Sequence, residues 1–273
     1  MFDNIDHSLL MKAVRHHTTC SWVLLYTERW LTAPVQQKDG VLRQRTKGTP
    51  QGGIVSPTLA NLYLHYAFDC WMKREFPRIP FARYADDVIC HCSTEAQAKY
   101  LKNAIQQRFA ACFLELHPQK TKIAYCCDDK RRGTYPVVQF DFLGYSFRPR
   151  QVKGSNGDLF VGFNPGISPK SATSIRKVMN GWQLHHRSDL SLDEIARMVN
   201  PSLRGWITYY GTYYRSALYR VMVHFDRYLT RWAATKYKSL KHRFAPAARW
   251  LRGVALRQPH LFAHWAEFRT TTG

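Results

Sequence analysis

Phe81-Ala82-Arg83-Tyr84-Ala85-Asp86-Asp87-Val88-Ile89-Cys90-His91-Cys92 is the stretch that decides how this chain is read. Its aromatic, β-branched and small residues predict two short strands, and the acidic pair falls where they join. Carboxylates inside an apolar strand pattern are expensive, because an unpaired buried charge needs a cation or another partner to compensate it. Successive strand residues face opposite ways, so the two side chains converge only at a hairpin turn, where Asp86 and Asp87 fall. Oxygen-only ligands at a turn suit Mg2+, which keeps several waters and binds substrate phosphates through one or two carboxylates. For an isolated Asp-Asp pair, a plain exposed turn would be the better reading. The surrounding sequence decides between the two.

Upstream, Leu9, Leu10, Val14, Trp22, Leu24 and Leu25 predict helix over residues 7–31, capped by Asp6 or Ser8. Val35 to Arg45 reads as a hairpin turning at Asp39-Gly40. Thr49-Pro50-Gln51-Gly52-Gly53-Ile54-Val55-Ser56-Pro57 is a loop whose glycines let backbone approach a ligand or another strand closely. Helical spacing resumes through Leu59, Leu62, Tyr63, Ala67 and Phe68. Downstream, Glu95 to Ala111 reads as amphipathic helix, Lys122 to Tyr125 and Val137 to Phe142 as strands, and Gly144 to Gly162 as further β structure turning at Asn156-Gly157. After Pro169 helices take over, and Ser191-Leu192-Asp193-Glu194 matches a capping box. The expected fold class is therefore α+β, with a mixed domain over 1–165 and a helical one over 166–273.

The chain has 273 residues, 45% hydrophobic and 22% charged, which excludes wholesale disorder and leaves room for one large domain or two smaller ones. Forty Lys plus Arg against nineteen Asp plus Glu give a net charge of +21, so a polyanionic partner is expected. No apolar run is long enough to span a bilayer and the opening residues lack the pattern of a signal peptide, so a cytoplasmic protein without membrane partners is expected. Seven cysteines without a C-x-x-C pair argue against a disulfide framework and a zinc ribbon. The pairs His16-His17 and His185-His186 point apart on a helix and fit surface or RNA-facing roles better than metal ligation. A basic RNA-coating protein satisfies this composition equally well, so motifs must decide.

Four ordered segments carry a resemblance: Phe2-Asp3-Asn4-Ile5-Asp6-His7, the Thr49–Pro57 loop, Phe81 to Asp87, and Leu114 to Lys122 followed by Phe140-Asp141-Phe142-Leu143-Gly144-Tyr145. Together they resemble the reverse transcriptases of bacterial group II introns, the multifunctional maturases. Leu203-Arg204-Gly205-Trp206-Ile207-Thr208-Tyr209-Tyr210-Gly211 is similar to their maturase-specific thumb segment, so the resemblance covers essentially the whole chain.

The resemblance implies a right-hand polymerase palm, with an RRM-like antiparallel sheet and helices, followed by an all-α thumb. Asp86 and Asp87 would hold Mg2+ in a two-metal site for nucleotidyl transfer. Phe2, Gln51, Gly52, Gly53, Tyr84 and Ala85 would line the incoming dNTP and template, and Phe142, Leu143, Gly144 and Tyr145 would grip the primer. Lys120 would orient the acidic turn or bind phosphate, although an ordinary solvated lysine accounts for it equally well. Implied partners are group II intron RNA and an RNA template paired with a DNA primer. The family's third metal-binding Asp aligns before Met1, and Asp3 and Asp6 align with other positions, so the chain expressed alone is expected to polymerise weakly or not at all. A start codon placed too late and a truncated relic both explain this, and a non-polymerising RNA-binding maturase is the alternative function.

Between Pro201 and Gln258 lie twelve Lys or Arg and one acidic residue, Asp226. At about 100° per residue, Leu218, Val221, Met222, Phe225, Leu229 and Trp232 share one helix face while Arg220, Arg227, Arg231 and Lys238 share the other. A basic stripe without intervening acids repels itself, so phosphate binding is preferred over a plain solvated face, with Arg204 joining it. No Cys/His cluster of the kind a metal nuclease would need follows Gly253.

Overall fold

A computed structural model describes residues 2–36, 40–50, 52–131, 133–154 and 156–269. They form two compact units, residues 1–123 and 124–273. The sequence places the division at 165 and 166; the compact units divide earlier because the last three strands pack with the helices that follow them.

In the first unit, the helix expected over 7–31 is two helices, α1 (His7–His17) and α2 (Ser21–Thr32), broken where Thr18 turns extended. Asp6 caps α1 by accepting from the Leu9 amide at 2.8 Å and from the Ser8 hydroxyl at 2.5 Å, bonds that hold its carboxyl below the usual aspartate range. Strands β1 (Val35–Gln36) and β2 (Leu42–Arg43) pair as the expected hairpin, whose Asp39 lies outside the described residues. Helix α3 (Ser56–Leu64) passes through a π-helical turn, His65–Asp69, into α4 (Cys70–Glu75). Strands β3 (Phe81–Tyr84) and β4 (Asp87–Cys90) form the acidic hairpin. Helix α5 (Glu95–Ala111) is bounded as the sequence predicts, with Thr94 accepting from the Gln97 amide while Gln97 accepts from that of Ser93.

The core of this unit gathers Ile5, Leu10, Leu31, Tyr63, Phe68, Met72 and Leu101. Burying a ring such as Phe68 contributes roughly 2–3 kcal/mol. Burial pushes the Tyr63 phenol up to about 12, and its hydroxyl donates to the Cys112 carbonyl at 2.7 Å.

In the second unit, β5 (Phe140–Phe142), β6 (Tyr145–Lys153) and β7 (Leu159–Ile167) make a three-stranded antiparallel sheet. Two strand expectations are corrected. Lys122–Tyr125 is not a strand and Val137–Phe142 shrinks to β5, because a single bond from the Tyr125 amide to the Val137 carbonyl, at 2.8 Å, replaces a ladder. Tyr125 stacks on Tyr135, with ring centroids 3.9 Å apart. The described strands therefore fall into three separate antiparallel sheets rather than one.

Helices α6 (Pro169–Gly181), α7 (Leu192–Tyr210), α8 (Arg215–Lys236), α9 (Phe244–Arg257) and α10 (Ala263–Arg269) complete this unit. The expected capping box is present: the Ser191 hydroxyl accepts from the Glu194 amide, and the Glu194 carboxylate accepts from the Ser191 amide. The predicted apolar face of α8 is buried from Leu218 to Trp232. Among the described residues, no helix is long and apolar enough to cross a membrane.

Candidate active site and nucleic-acid face

The acidic hairpin is held from its inward side. Along β3, Phe81 and Arg83 turn toward the protein while Ala82 and Tyr84 are exposed, the alternation of a half-buried strand. Phe81 meets Phe68 edge to face at 5.2 Å, and Val88 and Cys90 pack on the same core. Burial pushes the Cys90 thiol up to about 12, so this cysteine is an inert packing group. Tyr84 pairs with Asp87 across a two-residue turn of Ala85 and Asp86, and both carboxylates are exposed. Ala85 adopts φ +52°, a left-handed conformation that is strained for a residue with a Cβ.

Arg83 occupies the slot behind this turn. Its Nε donates to Asp69 Oδ1 at 2.7 Å and its Nη2 to Asp69 Oδ2 at 2.6 Å, a two-point ion pair with side chains only 12% and 14% exposed. Its Nη1 donates to Asn61 Oδ1 and to the Ala85 carbonyl, each at 2.9 Å. Asp69 closes the π-helical turn, where its Oδ2 also lies 3.3 Å from His65 Nδ1. From the other side, Arg108 of α5 donates to the Tyr66 and Ala67 carbonyls of that turn. Sequence reasoning missed Arg83, Asp69, Asn61 and Arg108. An arginine set in an apolar strand was the available signal.

The glycine loop belongs to the same unit. The Gly48 amide donates to the Ile5 carbonyl at 2.7 Å, the Gly48 carbonyl lies 2.7 Å from His7 Nε2, and the backbones of Asp6 and Lys47 form an isolated antiparallel β-bridge. At the far end the Ser56 hydroxyl, on the first residue of α3, donates to the Pro50 carbonyl at 2.5 Å. Gly52 uses the left-handed region at φ +85°. A Cβ on Gly53 would meet Ser56 Oγ at 2.8 Å. The loop is thus pinned at both ends, and the helix it feeds supplies Asn61 to Arg83. Gln51 lies outside the described residues, as does the side chain of Phe2, whose backbone opens a 3-10 turn, Phe2–Asn4. Lys120 is exposed in a turn after His117.

The donor set at the turn can be weighed against a cation. Two exposed carboxylates on adjacent residues offer hard oxygen ligands to a hydrated divalent ion. Among the described residues no group of three or more His, Cys, Asp or Glu gathers as a metal cage, so any ion here would keep waters or substrate oxygens.

In the second unit, the Phe142–Tyr145 turn is held by hydroxyls. Leu143 has φ +50° and Gly144 φ +80°, the two positive values of the tightest hairpin turns. Tyr209 donates its hydroxyl to the Leu143 carbonyl at 2.8 Å. Ser171 donates its hydroxyl to the Gly144 carbonyl at 3.0 Å, and the Ser168 amide does so at 2.9 Å. Tyr145 in turn donates to the Tyr209 carbonyl. A Cβ on Gly144 would meet the Tyr210 hydroxyl at 2.8 Å, so glycine is needed there for space as well as for φ.

The basic face is built on α8. Arg220, Arg227 and Arg231 are all exposed opposite the buried stripe, and Arg204 is exposed on α7. Lys238 requires a correction: α8 ends at Lys236, so Lys238 lies in a separate 3-10 turn, Lys238–Leu240, and does not continue the helix face. Arg176 of α6 is an addition the sequence did not reveal. Partial burial, then Arg176, Arg227 and Arg231, hold the His224 imidazole below its ordinary range, which marks a convergence of positive charge. Burial, followed by His186 and Arg231, lowers His185 in the same way. Asp226, the acidic residue of α8, is engaged by α10 instead: its Oδ1 accepts from Trp265 Nε1 at 2.8 Å and lies 3.0 Å from His264 Nε2.

Comparison with known proteins gives the family. Residues 1–147 match the family model for reverse transcriptase (RNA-dependent DNA polymerase), and residues 172–250 match the group II intron maturase-specific domain. Protein YkfC of Escherichia coli (strain K12) is 29% identical over 160 residues, a match covering 46% of this chain and 42% of that protein. The first family model takes in the pinned glycine loop and the acidic hairpin, and the second takes in α7 and the basic face of α8. With more than half of its length matched, the chain belongs to the reverse transcriptase family and carries a group II intron maturase-specific domain.

Proposed function

We propose that this chain takes part in RNA-directed DNA synthesis and in binding the RNA of a group II intron, supporting its splicing and mobility. The observation that carries the reading is the exposed Asp86-Asp87 pair on a strained turn, clamped from behind, in the unit that also pins the glycine loop. Residues 1–165 act as a polymerase palm and 166–273 as a helical thumb and RNA-binding region. Asp86 and Asp87 hold hydrated Mg2+, to which their two hard carboxylates are suited. When bound, the divalent ion supplies charge stabilisation at the transferring phosphoryl group and favours the ionised primer hydroxyl. Phe2, Gln51, Gly52, Gly53, Tyr84 and Ala85 line the incoming dNTP and template, and Lys120 reaches phosphate. Phe142 to Tyr145 hold the primer end.

Arg204, Arg220, Arg227, Arg231 and Lys238 contact intron RNA phosphates. A second reading, RNA binding without polymerisation, draws on one feature: the basic face is assembled within the second unit from α6 and α8, independently of the acidic pair.

Primer extension on poly(rA)/oligo(dT) with Mg2+, run beside binding of structured RNA, separates the two readings. Extension, even if weak, that Asp86→Ala abolishes supports polymerisation. Extension that survives Asp86→Ala removes the acidic pair from the site. Salt-dependent RNA binding without any extension establishes the second reading.

A further inference from the structure

We propose that Arg83 is the positioning residue of the acidic turn, setting the direction of the Asp86 and Asp87 carboxylates through the backbone. The role rests on the proposal that these carboxylates receive a divalent cation, but the contacts that define it do not. Four donor contacts of one guanidinium converge on three groups: both oxygens of Asp69, the side-chain oxygen of Asn61 and the carbonyl of Ala85. The Ala85 carbonyl belongs to the peptide unit whose amide is that of Asp86. Fixing it fixes the plane from which the first carboxylate projects, and Asp87 follows as the residue paired with Tyr84. Left-handed alanine persists only where the surroundings over-determine it, and the Nη1 contact supplies that constraint at Ala85.

Charge bookkeeping separates positioning from neutralisation. The Arg83 cation is matched at two points by Asp69, so the formal charge of the aspartate pair remains for an added cation. Lysine cannot reproduce the arrangement, because its point-like ammonium lacks the planar fork that reaches Asp69 and the turn together. The acceptor arrives by way of the π-helical turn. That segment inserts a residue between α3 and α4, so Asn61 precedes it and Asp69 ends it, and both reach the same side chain.

The test compares wild type, Arg83→Lys and Asn61→Ala in the 273-residue chain, each checked for folding by circular dichroism. Amide exchange across Tyr84 to Val88 is expected to rise about tenfold in Arg83→Lys, as for the loss of one charged hydrogen bond, and less in Asn61→Ala. Exchange in α5 and in the second unit should stay within twofold of wild type. Mn2+ affinity by electron paramagnetic resonance should fall about tenfold in Arg83→Lys and, where the wild-type chain extends a primer, the Mg2+ needed for half-maximal extension should rise in step while the KM for dNTP holds. A merely structural arginine would lower the melting temperature and leave exchange at the turn and the cation requirement unchanged. Should Arg83→Lys fail to fold, Asn61→Ala, an exposed site, still removes one partner of the same nitrogen.

Unchanged exchange across the turn in every folded variant overturns the proposal, whatever the chain polymerises. Wild type that binds no Mn2+ overturns the cation reading instead, and the exchange result still decides what Arg83 does.

Discussion

Each unit of this chain contains a hairpin whose tight turn is left-handed, at Ala85 in one and at Leu143 and Gly144 in the other, and the two turns are held by opposite chemistry. At Ala85-Asp86 the clamp is a nearly buried ion pair, Arg83 with Asp69, that reaches one carbonyl. At Leu143-Gly144 it is a set of neutral donors, the Tyr209 and Ser171 hydroxyls and the Ser168 amide, that reach two carbonyls. The first turn uses alanine where glycine would relax, and the second uses glycine because Tyr210 leaves no room for a Cβ. A charged clamp is rigid and depends on both partners, since removing one strands the other without compensation. A neutral clamp weakens one bond at a time. The stiffer device sits behind the carboxylates proposed to receive a cation, and the graded one sits at the turn proposed to hold the primer end.

Breaking the comparison at the acidic turn should give the largest effect. Asp86→Ala is expected to take whatever extension the wild-type chain gives down to background, while unfolding is unchanged because the side chain is exposed; single-turnover extension with Mg2+ measures it. Next, Asp69→Asn should destabilise the first unit by about 3 kcal/mol, as a buried guanidinium loses its charge partner, read by hydrogen exchange within residues 1–123. Gly144→Ala should destabilise its own turn by about 2 kcal/mol through left-handed strain and the clash with Tyr210, seen as faster exchange in β5 and β6. Arg227→Ala with Arg231→Ala should weaken structured-RNA binding and flatten the salt dependence, by roughly 0.7 to 0.9 in log–log slope for each lost contact, in filter binding over a salt series. The smallest change is Tyr209→Phe, which removes one hydroxyl contact and should cost about 1 kcal/mol in urea unfolding of the second unit. Equal losses for Asp69→Asn and Tyr209→Phe would erase the distinction between the two clamps.

Much of the local structure was legible. The acidic hairpin, the helix from Glu95 to Ala111, the Ser191–Glu194 box and the two faces of α8 all follow from patterns within a few residues of one another. The errors have physical causes. Helix 7–31 breaks because Thr18 turns extended between two amphipathic segments whose spacing alone looks continuous. The π-helical turn adds one residue, too little to disturb a periodicity of 3.6. The short segments around 122–125 and 137–139 have strand-like residues, but a ladder needs a partner in register, and only one bond forms. Lys238 fits the arithmetic of a helix that ends two residues earlier.

The amino-acid order by itself determined where the acidic pair turns, which faces of the helices are apolar, how α1 and α7 are capped, and that the chain carries +21 of net charge, which favours a polyanionic partner. Alternation, helical spacing and capping act between residues close in the chain, so they are written in it directly. Only the tertiary structure decided that Asp69 meets Arg83 across 14 residues, that Tyr209 holds Leu143 across 66, and that Arg176 joins the face of α8. Those meetings depend on packing between distant elements, where the energy of a contact is set by burial and geometry that no local pattern encodes.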